Sequence, residues 1–308
     1  MASANNISAA LLKPDRMSNH NNEDSFKYKV DCQSRIDPEN PETKEWLEIQ
    51  NKFMHYGDVK VFSGILEKKK SIIVKIGTDI LKKEYEIGKL IDNIKIPTFI
   101  SFICIFSCND DYKSLDSKSL HNNTASRKYL CRKEGEKLTI LVMPNIKLGL
   151  LYKYTWVQHN FHILKNILKH IVMSLCYARI KIGFVHNDLH YGNVLLQKST
   201  RKNIDYEDFG QLETFGFIPV IIDYDKSIIK KNDEMIEPDI YNDFHRIING
   251  ICQDVNTVFD VINFTNLNNK YISKKTKISN EVCNNICKEI DKFEIRYIKT
   301  ERLAMFKQ

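Results

Sequence analysis

The stretch His186–Leu196, HNDLHYGNVLL, places Asp188 and Asn193 on one short loop with four residues between them. A carboxylate so placed can orient an attacking hydroxyl and take its proton. An amide oxygen beside it can hold a metal that is itself bound to phosphates. Together they suit phosphoryl transfer. A turn whose Asp and Asn merely cap the backbone would show the same letters. The long helical pattern before the loop and the apolar strand pattern after it favour the chemical reading.

Such a site needs a further metal-holding carboxylate, projected rigidly from the end of a buried strand. Two aspartates compete for that place. Asp208, in IDYEDFG, is approached through Asp205, Tyr206 and Glu207, a polar and acidic run expected not to bury. Asp223 ends FIPVIID, a continuous apolar run of the kind that fills a core strand. The metal is therefore assigned to Asp223. Asp225, two residues on, either adds a second carboxylate to the site or is a solvated turn residue.

The loop resembles that of the protein kinase-like superfamily, whose catalytic template is H-x-D-x-x-x-x-N. Within it, the chain is most similar to haspin-type kinases, which carry His rather than Lys in loops of the form DLHxGNVLL and follow them with IIDY. Here the residues are DLHYGNVLL and then IIDYDKS. Similar loops occur in divergent kinases of large DNA viruses, and aminoglycoside and choline phosphotransferases share DLHxGN. Haspin-type chains resemble this one in having an insertion where residues 198–216 fall, which makes the literal DFG at Asp208 a decoy. The resemblance implies an α+β, two-lobe protein kinase-like fold that uses ATP and Mg2+. Asp188 would be the base, with Asn193 and Asp223 as magnesium ligands. His190 stands where most kinases put lysine, so charge stabilisation would rest more on the metals.

Lys75 lies in SIIVKIG, apolar on both sides. An ammonium between Val and Ile on a strand needs a partner or a ligand, since burying it alone is costly; the bland alternative is a surface strand residue. In the following helix Glu84 interrupts the apolar stripe beside Leu81 and Ile87, whereas Glu86 points away, so Glu84 is the expected partner. By resemblance Lys75 grips the ATP phosphates, Val59 packs on the adenine, and LVMPNI supplies the hinge around Met143, Pro144 and Ile146. The glycine-rich loop G-x-G-x-x-G-x-V is matched only at Gly57 and Val59, with Lys52 and Met54 in the other glycine places. Backbone amides can still cover phosphates there, less closely. Asp243 in DFHRIING resembles the aspartate that ties down the catalytic loop. It is preferred over Asp239 because apolar residues follow it at the fourth and fifth positions. The short span from Asp223 to Asp243, with no Ala-Pro-Glu, leaves no room for an ordinary activation segment.

These residues need a scaffold, and the patterning outlines one. Residues 1–44, rich in Asn, Ser, Asp and Lys, read as a flexible leader, and 45–308 as the kinase-like domain. Its N-lobe spans about 45–143 and its C-lobe about 147–308. YGDVKVFSGIL and KKKSIIVKIG read as strand, turn, strand; TDILKKEYEIGKLIDN reads as a helix capped by Thr78 or Asp79. PTFISFICIF and KLTILVM read as strands around a polar inserted loop. A long amphipathic helix then runs from Trp156 to its closing Gly183.

At 308 residues, 43% hydrophobic and 28% charged, the chain has the make-up of a soluble globular protein. Its net charge of +7 favours acidic partners only mildly, and neither direct nucleic-acid binding nor a membrane span is expected. The eight cysteines include no Cys-x-x-Cys pair and read as free thiols in a reducing compartment. With no signal-peptide pattern, the expected location is intracellular, cytoplasmic or nuclear, in a host cell or virion if the source is viral. Three functions fit: a serine/threonine protein kinase, a small-molecule phosphotransferase, and a pseudokinase that binds partners.

Overall fold

Strand Lys70–Gly77 alternates between two environments, and that alternation organises the sheet around it. Ile72, Val74 and Ile76 are fully buried on one face, whereas Ser71, Ile73 and Lys75 take the other. Such a strand requires neighbours on both edges and cover on both faces. The computed structural model supplies them; it describes residues 32, 46–56, 58–110, 128–129, 131, 135–154, 156, 159–230, 238–253, 259–262, 267, 270–271 and 278–297. Strands β1 (Leu47–Tyr56), β2 (Val59–Leu66), β3 (Lys70–Gly77), β4 (Cys104–Asp110), β5 (Lys128–Tyr129) and β6 (Glu136–Pro144) form one antiparallel sheet, ordered β4-β6-β3-β2-β1-β5. Trp46, Ile49, Phe62, Val74, Phe106 and Ile140 belong to the core on one face.

Helix α1 (Ile80–Asp92) lies on the face that carries Lys75, burying Leu81, Glu84, Ile87 and Ile91. At Gly88 the ring of Phe102 packs so closely that a β-carbon would strike it. Asp79 is the N-cap residue, yet its carboxylate makes no cap bond and pairs with Lys82 at 2.7 Å instead. Two expectations change here. Strand β1 has a bulged register and no clear period-two pattern, so only its partner β2 shows in the sequence. The apolar run after Pro97 becomes strand only from Cys104.

Among the described residues, Ile94–Phe99 and those from Ile146 onward make a second unit. Its centre is α2 (Phe161–Ile182), buried on nearly every side at Leu164, Ile167, Ile171, Val172, Leu175 and Ala178. Gly183 closes it in the left-handed conformation at φ 72°, with its N–H bonded to the Arg179 carbonyl at 2.9 Å. A β-carbon there would collide with the Lys230 backbone, so glycine is required. Short antiparallel pairs follow: β7 (Phe184–Val185) with β12 (Ile228–Ile229), and β8 (Val194–Lys198) with β11 (Phe217–Ile221). Likewise β9 (Asn203–Asp205) pairs with β10 (Gln211–Glu213), and β13 (Phe259–Ile262) with β14 (Glu294–Tyr297). Helices α3 (Pro238–Gln253) and α4 (Asn280–Asp291) complete the unit. No helix among the described residues is long and apolar enough to cross a membrane.

The DFG segment has a structural role that its acidic letters conceal. Ile204, Tyr206 and Phe209 are buried, while Asp205, Glu207 and Asp208 stay exposed, so the expectation that this run would not bury is corrected at every second or third residue. Phe209 packs on Tyr177 of α2, and Glu207 pairs with Lys181 at 2.7 Å. Tyr206 donates its hydroxyl to Nδ1 of His170 at 2.9 Å, while Nε2 of His170 donates to the Glu213 carbonyl at 2.9 Å. Burial is the main cause that drives the His170 pKa down, to about 4.

That depression carries a pH signature. The folded state holds His170 neutral, whereas the unfolded chain takes up a proton near the ordinary histidine value. Stability from this site is therefore complete above about pH 6.5 and is lost as pH falls toward 4, by up to about 3 kcal/mol. Urea midpoints measured from pH 7 to pH 4 should fall less steeply in His170→Asn than in the wild type. Equal slopes would show that this histidine is not the titrating group.

Six cysteines depart from the expected free thiols. Cys32 pairs with Cys104, Cys108 with Cys131 and Cys176 with Cys283, at Cα separations of 5.9, 5.3 and 6.4 Å. The partners lie 72, 23 and 107 residues apart, which no local spacing could reveal. Cys287 is a buried free thiol. Cys32 falls within the expected leader but is itself 1% exposed and joined to β4; the rest of 1–44 lies outside the described residues.

Candidate active site

The loop that follows β7 is fixed from beneath by one carboxylate. Asp243, fully buried on α3, accepts the backbone N–H of His186 at 3.1 Å and of Asn187 at 3.0 Å through one oxygen. Its other oxygen accepts the N–H of Leu189 at 3.1 Å. Burial pushes the Asp243 carboxyl upward, against the downward pull of His186 and of these three donors. His186 adds a second tie by donating Nε2–H to the Ile222 carbonyl at 2.9 Å. Removing the anchor in Asp243→Ala strands three donors and should cost roughly 3–5 kcal/mol of stability, read from denaturant midpoints. A loss under about 1 kcal/mol would mean that the loop holds itself.

So anchored, the loop sets Asp188 and Asn193 side by side. Asn193 is 7% exposed and donates its side-chain amide to the backbone carbonyl of Asp188 at 3.2 Å. That fixes the amide group and leaves its oxygen as the donor available to a metal. The carbonyl of Asn193 accepts the N–H of Ile222 at 3.0 Å, continuing the β8–β11 ladder by one step. Asp223 is the next residue. It is half-buried and held at φ 72°, a left-handed conformation uncommon for a side-chain-bearing residue and typical of functional positions. The neighbouring Tyr224 is buried and donates its hydroxyl to Ile221 at 3.0 Å, anchoring the turn from below.

Asp188 itself is gripped by two cations. Lys226 Nζ lies 2.6 Å from one carboxylate oxygen and Arg246 Nη1 2.7 Å from the other. Partial burial pushes its pKa up, but the bond and charge of Lys226, with His190 and Arg246 behind it, hold it below the ordinary carboxylate range. It is therefore ionised at neutral pH and able to accept a proton. His190 accepts the Gly192 N–H on Nδ1 at 3.1 Å; its pKa is lowered, chiefly by desolvation, so the imidazole is neutral. Neither Lys226 nor Arg246 is among the residues singled out from sequence. Each stands three places after an aspartate that is, Asp223 and Asp243, and that offset is the only signal the sequence carries.

In the sheet unit, Lys75 and Glu84 meet. Lys75 Nζ donates to both Glu84 oxygens, at 2.7 and 3.0 Å, with the residues 9% and 0% exposed. Glu86 is exposed and pairs with Lys89. Met143 (5% exposed) is buried in β6, Ile146 (8% exposed) is buried, and Val59 opens β2 half-buried; Gly57 lies outside the described residues. Asp208 is exposed in a short turn, its carbonyl accepting from Asn280 at 3.5 Å. The two rival aspartates differ in place: Asp223 follows the residue that extends the ladder to Asn193, whereas Asp208 lies at the surface with its turn packed on α2.

A nucleotide-bound divalent ion takes only one or two protein oxygens, with phosphates and water completing its shell. The amide oxygen of Asn193 and the carboxylate of Asp223 fit that demand. No group of three or more His, Cys, Asp and Glu among the described residues could hold a metal, so nothing there suggests an all-protein cage.

The ABC1 atypical kinase-like domain matches residues 134–237, a range that takes in Asp188, Asn193 and Asp223. Serine/threonine-protein kinase haspin of Bos taurus is 38% identical over 82 residues, covering 26% of this chain and 10% of that protein. An uncharacterized protein of Invertebrate iridescent virus 6 is 33% identical over 72 residues, 21% of this chain and 12% of the viral one. An uncharacterized protein of Caenorhabditis elegans is 32% identical over 75 residues, 23% of this chain and 25% of that protein. The chain thus spans between about a tenth and a quarter of the length of these relatives. With its antiparallel sheet, its helices and this loop, the chain is a divergent, α+β member of the protein kinase-like superfamily.

Proposed function

We propose that the protein transfers the γ-phosphoryl group of ATP to a serine or threonine hydroxyl of a protein. The hydrogen bond from Ile222 N–H to the Asn193 carbonyl carries the reading, because it brings Asp223 to the loop that bears Asp188. Asp188 orients the acceptor hydroxyl and takes its proton. The acceptor O–P bond forms as the bond from the γ-phosphorus to the β–γ bridging oxygen breaks, and the electron pair leaves on ADP. Magnesium, held by Asn193 and Asp223, would supply charge neutralisation to the phosphates. Lys75, oriented by Glu84, serves the α- and β-phosphates, with Gly57 and Val59 toward the phosphates and adenine and Met143 and Ile146 at the hinge. The partial similarity to haspin supports a protein acceptor over a small one. Nothing in the reading calls for nucleic acid or membrane.

The test is phosphate transfer from labelled ATP with Mg2+ to a serine/threonine peptide library, beside aminoglycoside and choline acceptors. Label on peptide hydroxyls, lost in Asp188→Asn, is the expected result. Label only on small amines or sugars would establish the small-molecule phosphotransferase instead, and no transfer to any acceptor would leave a binding module.

A further inference from the structure

We propose that Lys226 is a further catalytic residue, supplying to the transferred phosphoryl group the positive charge that His190 does not. The inference rests on the phosphotransfer reading above and assigns a role to a residue outside its motifs. Three observations carry it. The imidazole of His190 is tied to the loop, Nδ1 accepting the Gly192 N–H at 3.1 Å, so the position after Leu189 offers a fixed neutral ring rather than a mobile cation. Lys226 comes from the turn just beyond Asp223 and places its ammonium 2.6 Å from the base, Asp188. Its side chain is 59% exposed, against 21% for Asp188. So exposed an ion pair contributes little to stability, and a flexible four-carbon stem lets the ammonium move at small cost.

The second cation makes that movement chemically useful. Arg246 projects from α3, the same helix that anchors the loop through Asp243, and holds the opposite oxygen of Asp188 at 2.7 Å. When Lys226 swings from the carboxylate to the γ-phosphoryl oxygens, Arg246 still fixes the orientation of Asp188. The exchange brings positive charge to where negative charge develops in the transition state, while the carboxylate that takes the hydroxyl proton keeps one of its two cationic partners. The acceptor O–P bond then forms while the β–γ bridge breaks toward ADP, with the proton on Asp188.

Lys226→Met and Lys226→Arg decide the matter, measured by steady-state kinetics and by binding of Mg·ADP with and without aluminium fluoride, a mimic of the phosphoryl group in transit. Lys226→Met should lower kcat about 100-fold with KM for ATP within about threefold. Lys226→Arg should recover at least about a tenth of the lost rate. Wild-type protein should bind Mg·ADP with aluminium fluoride at least about tenfold tighter than Mg·ADP alone, and the Met variant should lose that gain while keeping Mg·ADP affinity. A Met variant within about threefold of wild-type kcat, or one that keeps the aluminium fluoride gain, overturns the assignment. Wild-type protein inactive on every acceptor would overturn the proposed function instead, and the binding arm would still judge Lys226.

Discussion

Asp188→Asn is expected to lower kcat for phosphotransfer by about 10²–10⁴-fold while leaving nucleotide affinity within about twofold. The substitution keeps the shape of the side chain and removes its ability to accept a proton. Its backbone carbonyl, which receives the Asn193 amide, is untouched, and so are the three loop N–H bonds to Asp243. The pairs with Lys226 and Arg246 weaken, but both cations are half exposed or more, so the stability change should stay below about 1 kcal/mol. Steady-state rates with thermal melts on the same preparation separate the two effects. A variant that melts normally yet retains a tenth or more of wild-type kcat would remove Asp188 from the chemistry.

The second large effect concerns the aspartate after β11. Asp223→Asn should reduce magnesium-dependent transfer by at least about 10²-fold, because one of the two proposed protein donors to the ion loses its charge. Asp208→Asn should leave the rate within about twofold. Asp208 is exposed, its backbone carbonyl accepting from Asn280 and its charge acting on Tyr177 and Lys181. The contrast is sharpened by the letters themselves, since the familiar tripeptide stands at Asp208 and the proposed metal ligand at Asp223.

How much of this the sequence discloses depends on which physical signal each part leaves. The Asp188–Asn193 loop stands out in the sequence because the chemistry proposed for it fixes both residue types and their spacing. Asp223 is legible because a buried strand must be apolar, and FIPVI is buried at every position. The pairing of Lys75 with Glu84 shows as two charges placed where the pattern demands apolar residues. Other parts leave no such trace. Strand β1 is broken in register by bulges, so its period is lost. Tyr206 and Phe209 bury between acidic neighbours because β9, β10 and the turn between them pack on α2, a tertiary choice that local composition cannot encode. Disulfide partners and the Lys226 and Arg246 contacts join residues from 23 to 107 positions apart, distances over which spacing rules say nothing.

Asp223, and not Asp208, is proposed to meet the divalent ion beside Asn193. The most direct measurement is electron paramagnetic resonance of Mn2+ titrated with ATP into wild type, Asp223→Asn and Asp208→Asn, with Mn2+ standing in for magnesium. Wild type and Asp208→Asn should bind Mn·ATP alike, and Asp223→Asn should weaken it by at least about tenfold. Full Mn·ATP binding in Asp223→Asn, with loss in Asp208→Asn, would contradict the assignment and return the site to the literal DFG.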